Sequence, residues 1–440
     1  MSFCARIKQV AARWTRRNDQ AACCRALMLA LAWALGATAP AQADTLTITC
    51  GSTGRELALC REGAEAWAAA RGHTVKLVTM PGSDTLSLTQ QLLAAGAADI
   101  DVFQIDIAWS GILARHLMDL RASAGERLAQ HFPAMVQSAT VDQRLVGMPW
   151  FGDAGILYYR KDLLQKHGLA VPRSWAELGR QAAQVQAAER AAGAERLWGF
   201  VWQGRAYEGL TCNALEWVAS HDGGSVVEAD GRVSINNPRA AQALRTAAGW
   251  VGTVTPPGVL NYTEEEARGV FQSGHALFMR NWPYAWSLLN AAGSPVRGLV
   301  GVAALPAGGP PGRSAATLAG SLLVVNRYSH HAALAADLVM HLTSAAEQKR
   351  RAIEASYNPT LPALYADAQV LAVAPYLATL YDTFAQAVAR PSSATGAKYN
   401  RVSIEFANAV HSVLSGESTA EERLAVLDKK LRRLRRGGAW

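Results

Sequence analysis

Several short stretches of the sequence place a carboxylate beside an aromatic side chain or after a glycine-rich turn. They are Glu56 after residues 51–54, Asp106 with Trp109, and Asp153 with Trp150 and Phe151. A further stretch carries three aromatic residues without a carboxylate, namely Trp282, Tyr284 and Trp286. Aromatic faces can cover the apolar C–H face of a sugar ring, while carboxylates accept hydrogen bonds from its hydroxyl groups. A single tryptophan at a strand end is more often a core residue, so only the recurrence of this pairing predicts a saccharide-binding site.

The same carboxylates would also suit hydrolysis of a glycosidic bond. Glu56, Asp106 and Asp153 could supply the acid and base of a glycosidase, although the sequence does not give their separation. Gly320-Ser321 lacks the second glycine of a nucleophile elbow, and no phosphate-binding or dinucleotide-binding glycine motif is present. We therefore expect a binding protein that needs no cofactor and is not an enzyme, with a periplasmic glycosidase as the alternative.

The elements that would hold these residues alternate between strand and helix at the start of the mature chain. The pattern predicts strands at 45–49, 74–80 and 101–105 and helices at 55–71 and 86–95. Strands separated by helices of this length predict an α/β fold with a parallel sheet covered on both faces. Ligands of such sheets bind beyond the carboxyl ends of the strands, which is where Glu56 and Asp106 fall.

Signals further along the chain place the second group of candidate residues. Residues 155–159, 275–279 and 321–326 are predicted to be strands. Thr263 caps a helix whose acidic first turn, 264–266, suits the positive end of the helix dipole. The Gly/Pro-rich loop at 306–313 is too short for a free linker, so we expect two lobes joined by several crossings of the chain.

The length and charge of the chain restrict the class of protein. With 440 residues the chain exceeds one ordinary hydrophobic core, so two domains are expected. The net charge of +8 comes largely from the first 43 residues and from a basic run at 429–436. Such a run is typical of a solvated helix end, and we expect no nucleic-acid binding; an acidic lipid surface is the lesser alternative.

The first residues have the pattern of an export signal. Basic residues precede an apolar run at 26–39, and Ala41-Gln42-Ala43 is a small-x-small cleavage site. Cleavage after Ala43 would start the mature chain at Asp44, in the periplasm. The apolar run is short for a membrane span, and a retained anchor is the alternative.

The cysteines beyond this leader are Cys50, Cys60 and Cys212. Cys50 ends a predicted strand and Cys60 lies in the next predicted helix, and an oxidising compartment permits a disulfide between them. Two reduced core cysteines are the alternative. Cys212 is expected to be unpaired and buried, and the spacing predicts no metal site.

Five stretches of the sequence together resemble a known family. They are DVFQIDIAWSG at 101–111, GDAGILYYRKD at 152–162, WGFVWQGRAYEGL at 198–210, RNWPYAW at 280–286 and SAATLAG at 314–320. The chain resembles the extracellular solute-binding proteins of carbohydrate ABC importers, and among them the trehalose/maltose-binding branch. The resemblance implies a two-lobed periplasmic-binding-protein fold with the ligand cleft at the hinge. It places residues 44–150 with 305–356 in the N-terminal lobe and 154–303 with 358–436 in the C-terminal lobe.

The resemblance also implies a set of ligand contacts. The implied residues are Glu56, Asp106 and Asp153 for sugar hydroxyls, Trp282 and Tyr284 for stacking, Gly320 for a backbone contact and Arg390 for a basic contact. A helix-end cation at Arg390 and a core residue at Tyr284 are the structural alternatives.

Three positions depart from the trehalose/maltose-binding branch. Ser321 stands where the branch carries a tryptophan, Phe151 where it carries a tyrosine, and residues 86–89 where it carries an arginine. Trp150 is the candidate to replace the missing ring. These departures leave open another glucosyl disaccharide, a polyol or a smaller sugar.

The resemblance therefore implies a monomeric binding protein that captures a small saccharide and delivers it to the transmembrane subunits of an ABC permease. A glucosyl disaccharide is the expected ligand. A binding protein for a non-sugar solute, or one that feeds a membrane sensor, is the remaining alternative beside the glycosidase.

Overall fold

The structure, a computed structural model, describes residues 43–80, 84–309, 312–435 and 440, without the side chain of Ala385. The compact unit considered below runs from Thr45 to Trp440. The predicted leader lies outside the described residues except for Ala43. Within the described part of the chain, no helix is both long and apolar enough to cross a membrane.

Eleven strands form two larger sheets and one small hairpin in the described ranges. They are β1 (Thr45–Thr49), β2 (Thr74–Val78), β3 (Val102–Asp106), β4 (Thr140–Val141), β5 (Arg144–Leu145), β6 (Met148–Ala154), β7 (Ile156–Arg160), β8 (Trp198–Val201), β9 (Ala276–Asn281), β10 (Val300–Ala303) and β11 (Leu318–Val325).

The first sheet has the strand order β2-β1-β3-β11-β6. Strands β1, β2 and β3 are parallel, as the strand–helix alternation predicts. The complete sheet is mixed, because β11 is antiparallel to both of its neighbours, β3 and β6. The physical reason is the connection: β6 leads directly into the second sheet and β11 returns from it, so no crossover helix within the first sheet joins β6 to β11.

The second sheet has the strand order β10-β7-β9-β8. Strand β7 is antiparallel to β9 and β10, while β8 is parallel to β9. The two sheets form the centres of two α/β lobes, and the chain passes between them at the β6–β7 and β10–β11 connections. The exact lobe limits, 44–150 with 305–356 and 154–303 with 358–436, stay a prediction.

The helices cover these sheets. They are α1 (Glu56–Arg71), α2 (Thr85–Ala94), α3 (Ser110–Leu113), α4 (Arg121–Ala124), α5 (Pro133–Ser138), α6 (Lys161–Lys166), α7 (Trp175–Ala191), α8 (Glu208–Ser220), α9 (Pro238–Trp250), α10 (Glu264–Gln272), α11 (Ala285–Leu289), α12 (Ala332–Leu342), α13 (Ala345–Ala355), α14 (Ala368–Val373), α15 (Leu377–Ala385), α16 (Ser392–Thr395), α17 (Tyr399–Leu414) and α18 (Ala420–Arg435).

Most tryptophans of the described body serve the two hydrophobic cores. Trp67 and Trp150 are buried in the core that includes β1, β3 and β11. Trp175, Trp202 and Trp217 are buried in the other core, among helices α7, α8 and α9. The abundance of tryptophan therefore reflects core packing, and only the rings at strand ends bear on ligand binding.

Candidate ligand-binding cleft

A cavity of about 530 Å³ lies between the two sheets and is lined by residues from both lobes. This volume is within the range of about 300–1,000 Å³ that is usual for small-molecule sites. The sequence-predicted residues that line it are Glu56, Asp106, Trp109, Phe151, Asp153, Trp282, Tyr284, Gly320, Ser321 and Arg390. Segments that are far apart in the chain thus converge on one space.

The first-lobe side of the cavity is organised by Gln104 on β3. Its side-chain oxygen accepts a hydrogen bond from the backbone N–H of Gly51 at 2.7 Å. Its amide nitrogen donates to the Glu56 carboxylate, and to the Ser321 hydroxyl at 3.1 Å. A Cβ at Gly51 would lie 2.1 Å from the Glu56 carboxylate, so glycine at this position leaves room for the Glu56 side chain where it now lies.

The same turn is closed by a disulfide between Cys50 and Cys60, with an S–S distance of 2.04 Å. The bond joins the end of β1 to helix α1 and encloses the turn that carries Glu56. Cys212 is a free, buried thiol, as predicted, and it also lines the cavity. Among the residues that the structure describes, no group of three or more His, Cys, Asp or Glu side chains could hold a metal ion.

Arg390 connects the two lobes at one end of the cavity. Its guanidinium donates to both carboxylate oxygens of Asp106, at 2.6 and 3.0 Å, and to Glu208 at 2.8 Å. The Arg390 side chain is only 1% exposed. Because two carboxylates already occupy it, Arg390 serves first as an ion-pair bridge between β3 and α8, and Asp106 shares its oxygens with that bridge.

Trp282 and Tyr284, which follow β9, form the aromatic side of the cavity, called here the aromatic wall. The Trp282 indole N–H donates to Glu264 at 3.2 Å, and the Tyr284 hydroxyl donates to Glu265 at 2.6 Å. The guanidinium of Arg280 lies 3.8 Å from the centroid of the Trp282 ring. Both rings are fixed at their polar edges while they line the cavity.

Asp153 is the buried carboxylate with the fewest partners in this cavity. Its Oδ1 atom is inaccessible to solvent and has no hydrogen-bond partner in the described part of the protein. Burial is the main cause that raises the pKa of Asp153 to about 7. The nearby charge of Glu56 acts in the same direction, and the charges of Arg280 and Arg351 oppose it. Asp153 lines the cavity, and a buried carboxylate with few protein donors is suited to accept a hydrogen bond from a ligand hydroxyl.

Glu56, in the first turn of α1, has a comparable environment. Burial raises the pKa of Glu56 to about 7, although the hydrogen bond from Gln104 and the charge of Arg351 act in the other direction. Its carboxylate lines the cavity at the first turn of α1. The cavity therefore holds two carboxylates that can exist in either protonation state near neutral pH.

Gly320 brings backbone, not a side chain, to the cavity. Its φ of +137° lies in the region that favours glycine, and a Cβ there would lie 2.3 Å from the carbonyl oxygen of Phe151. Strand β11 can approach β6 this closely only because residue 320 has no side chain.

Trp150 lies behind the cavity and not in it, which corrects the expectation that it replaces a missing ring. Phe151 and Asp153 line the cavity from strand β6, and successive side chains of a strand point to opposite faces. Trp150 therefore faces the core, where it is 1% exposed and lies 4.1 Å from the guanidinium of Arg351.

The cavity also contains side chains that the sequence analysis did not select. They include Gln104, Arg205, Tyr207, Glu208, Glu264, Glu265 and Tyr357. The pair Tyr207-Glu208 shortly follows strand β8, so it carries the same aromatic–carboxylate signal as the selected stretches. Glu264 and Glu265 had already been explained by the helix dipole, and no sequence signal distinguishes Tyr357.

Comparison with known proteins agrees with this geometry. Residues 54–349 match the family described as bacterial extracellular solute-binding protein. A curated relative from Deinococcus radiodurans, named a probable ABC transporter-binding protein, is 50% identical over 419 residues, which cover 94% of this chain and 99% of that one. The chain belongs to the bacterial extracellular solute-binding proteins.

Solved structures share the fold of this solute-binding protein. MalE3 of T. maritima with bound maltose is 40% identical, with a TM-score of 0.84 over 89% of this chain and all of that one. The GacH receptor of Streptomyces glaucescens has a TM-score of 0.80 at 24% identity, over 90% of this chain and 99% of that one. The protein is thus a two-lobed solute-binding protein and not an enzyme, and its family is periplasmic or extracellular.

Proposed function

We propose that this solute-binding protein is the periplasmic substrate-binding component of an ABC importer, and that its ligand is a small glucosyl disaccharide. The relative from D. radiodurans, which the chain covers almost completely, supports the importer. The maltose-bound neighbour supports a glucosyl sugar, because it shares 40% of its sequence with this chain.

The observation that carries the proposal is the opposition of an aromatic wall to buried carboxylates in one cavity. Trp282 and Tyr284 come from the second lobe, Glu56 comes from the first, and Asp153 lies on the strand that leads between them. Ring faces can cover the apolar side of a pyranose while the carboxylates accept from its hydroxyls. A flat, hydroxyl-rich and uncharged ligand fits these groups.

We assign a different contact with the sugar to each group of lining residues. Glu56 and Asp153 accept hydrogen bonds from hydroxyls, and the aromatic wall stacks on a sugar ring. Gly320 has no side chain and Ser321 has a small one, so both leave space for the ligand. Phe151 supplies an apolar edge. Asp106 and Arg390 contribute mainly through their bridge between the lobes.

Capture follows from the two-lobed arrangement. A sugar that contacts both lobes binds the closed form more tightly than the open one, so it shifts the population toward closure. The permease subunits then recognise the closed lobes. This role requires a monomer exported to the periplasm, with cleavage after Ala43, and it includes no covalent step.

The first test is a binding screen of the mature chain, from Asp44 onward. Maltose, trehalose, sucrose, lactose and mannitol are added at millimolar concentration, and the melting temperature is followed. A ligand at 100 times its Kd should add about 2.7 kcal/mol to the free energy of unfolding. If none of these compounds raises the melting temperature, the carbohydrate assignment is wrong.

A variant at Asp153 tests the site itself. Asp153→Asn keeps the size of the side chain but removes a charged acceptor, so we expect the affinity for the best sugar to fall at least about 10-fold by calorimetry. Glu195→Gln, an exposed carboxylate outside the cavity, is the matched control and should bind like the wild type. Normal binding by Asp153→Asn would reject this contact while leaving the class of ligand intact.

A further inference from the structure

The acidic run at 264–266 opens helix α10, and the structure gives its three carboxylates different tasks. Glu266 forms a capping box with Thr263, in which the backbone N–H of Thr263 donates to the Glu266 carboxylate at 2.8 Å. The capping box satisfies two donors of the helix terminus without the side chains of Glu264 and Glu265. The helix end therefore does not account for Glu264 and Glu265, both of which line the ligand cavity.

Glu264 holds two aromatic side chains at once. One carboxylate oxygen accepts from the indole N–H of Trp282 at 3.2 Å, and the other accepts from the hydroxyl of Tyr207 at 2.7 Å. Tyr207 precedes helix α8 and Trp282 follows strand β9, so this one carboxylate ties together two separate segments that line the cavity. The backbone carbonyl of Glu264 also accepts from Asn281, next to Trp282, at 3.1 Å.

Glu265 does the same for the other ring of the aromatic wall. It accepts from the Tyr284 hydroxyl at 2.6 Å, and its second oxygen is paired with Arg268 one turn later at 2.5 Å. The first turn of α10 thus accepts hydrogen bonds from the polar edges of both rings of the aromatic wall. A ring that is held in this way presents one face to the cavity before any ligand arrives.

We infer that Glu264 is a positioning residue for sugar stacking, which acts by fixing the ring planes of Trp282 and Tyr207 and not by binding the sugar itself. The inference rests on the proposed function, because it assigns a role within that site. Its basis is that each carboxylate oxygen of Glu264 already accepts from an aromatic donor. Preorganised rings lose less freedom when a ligand stacks on them, which increases affinity.

The test uses the different hydrogen-bonding capacity of glutamine. In Glu264→Gln an NH2 group replaces one of the two carboxylate oxygens, so Trp282 and Tyr207 can no longer each donate to an oxygen of their own. We expect the affinity for maltose, measured by calorimetry, to fall about 10-fold. In the double variant Glu264→Gln/Tyr207→Phe the oxygen is free for Trp282, and most of the affinity should return.

Two results would overturn the inference. If the losses of Glu264→Gln and Tyr207→Phe simply multiply, Glu264 contacts the ligand directly. If Glu264→Gln binds like the wild type, the hydrogen bonds from Glu264 to the two rings have no role in binding. Glu266→Gln is the control from the same acidic run, and it should leave the affinity unchanged because Glu266 does not line the cavity.

A second readout needs no ligand. The indole N–H resonance of Trp282, assigned by its loss in Trp282→Phe, should shift and exchange faster with water in Glu264→Gln, and should recover when Tyr207→Phe is added. An unchanged resonance contradicts the inference even if no sugar binds. If the wild type binds none of the sugars while this resonance behaves as expected, the proposed function fails and the positioning of the rings stands.

Discussion

Glu56 and Asp153 are unusual at the level of single residues because burial holds the pKa of each at about 7. The ordinary values are 4.5 and 3.8, so the folded protein keeps protons that the unfolded chain has already released. The folded state is then favoured at low pH, and this advantage disappears as the pH rises through the folded pKa. The two carboxylates therefore oppose folding at neutral pH, as expected of groups kept for a ligand.

The predicted loss of stability with rising pH can be checked by urea denaturation between pH 4 and pH 8. The contribution of Glu56 to the free energy of unfolding should fall by roughly 3 kcal/mol over that range, at about 1.4 kcal/mol per pKa unit. Glu56→Gln cannot titrate, so the difference between the wild type and this variant reports the titration of Glu56 together with the effect of its charge on Asp153. A difference that is independent of pH would contradict the raised pKa.

At the level of elements, one buried ion pair connects the segments that pass between the lobes. Arg280 on β9 donates to Glu216 on α8 at 2.5 and 2.9 Å, and both side chains are buried. The backbone N–H of Thr317, just before β11, also donates to Glu216 at 3.1 Å. A Cβ at Gly155, between β6 and β7, would lie 2.1 Å from the same carboxylate. Both connections between the sheets thus pack on this pair.

Loss of one member of this pair should be costly. Glu216→Gln leaves the Arg280 charge buried and uncompensated, so we expect a loss of about 3–5 kcal/mol in the free energy of unfolding. Glu65→Gln, at an exposed pair with Arg61 on helix α1, should cause no measurable change. The double variant Glu216→Leu/Arg280→Met should be more stable than Glu216→Gln; if it is less stable, burial of an unpaired charge is not the cause.

At the level of the whole molecule, the two lobes meet closely where the turn before α1 faces the aromatic wall. A Cβ at Gly54 would lie 2.7 Å from the Tyr284 ring. Beside it, the Tyr357 hydroxyl donates to the backbone carbonyl of Thr53 at 2.7 Å. The absence of a side chain at Gly54 permits this approach of the two lobes.

Gly54→Ala should therefore hold the lobes apart and weaken sugar binding. Gly72→Ala is a matched control, because Gly72 also has a positive φ, of +72°, but nothing lies within 4 Å of its Cβ position. Both variants should lose about 1 kcal/mol of stability through backbone strain. Only Gly54→Ala should lower the affinity and enlarge the ligand-saturated radius of gyration in small-angle scattering. Equal affinities for the two variants would show that this contact does not limit closure.

The sequence alone could predict features that depend on local pattern. Strand β1, helix α1 and strand β3 follow from the alternation of apolar residues, and Glu56 and Asp106 lie where parallel strands end. The aromatic wall was predicted for a similar reason, since Trp282 and Tyr284 directly follow a strand. The family resemblance added Arg390, which no local pattern marks as a cavity residue.

The tertiary structure alone decided which side of a strand faces the cavity and which distant residues meet there. Because side chains of a strand alternate between its two faces, either Trp150 or the pair Phe151 and Asp153 can face the ligand. Trp150 packs in the core, so the pair faces the cavity. Arg390 and Asp106 are 284 residues apart, and their contact depends on how the lobes close. The direction of β11 and the hydrogen bonds of Glu264 to two rings likewise depend on segments that are distant in sequence. Packing in three dimensions, and not the neighbouring residues in sequence, sets these contacts.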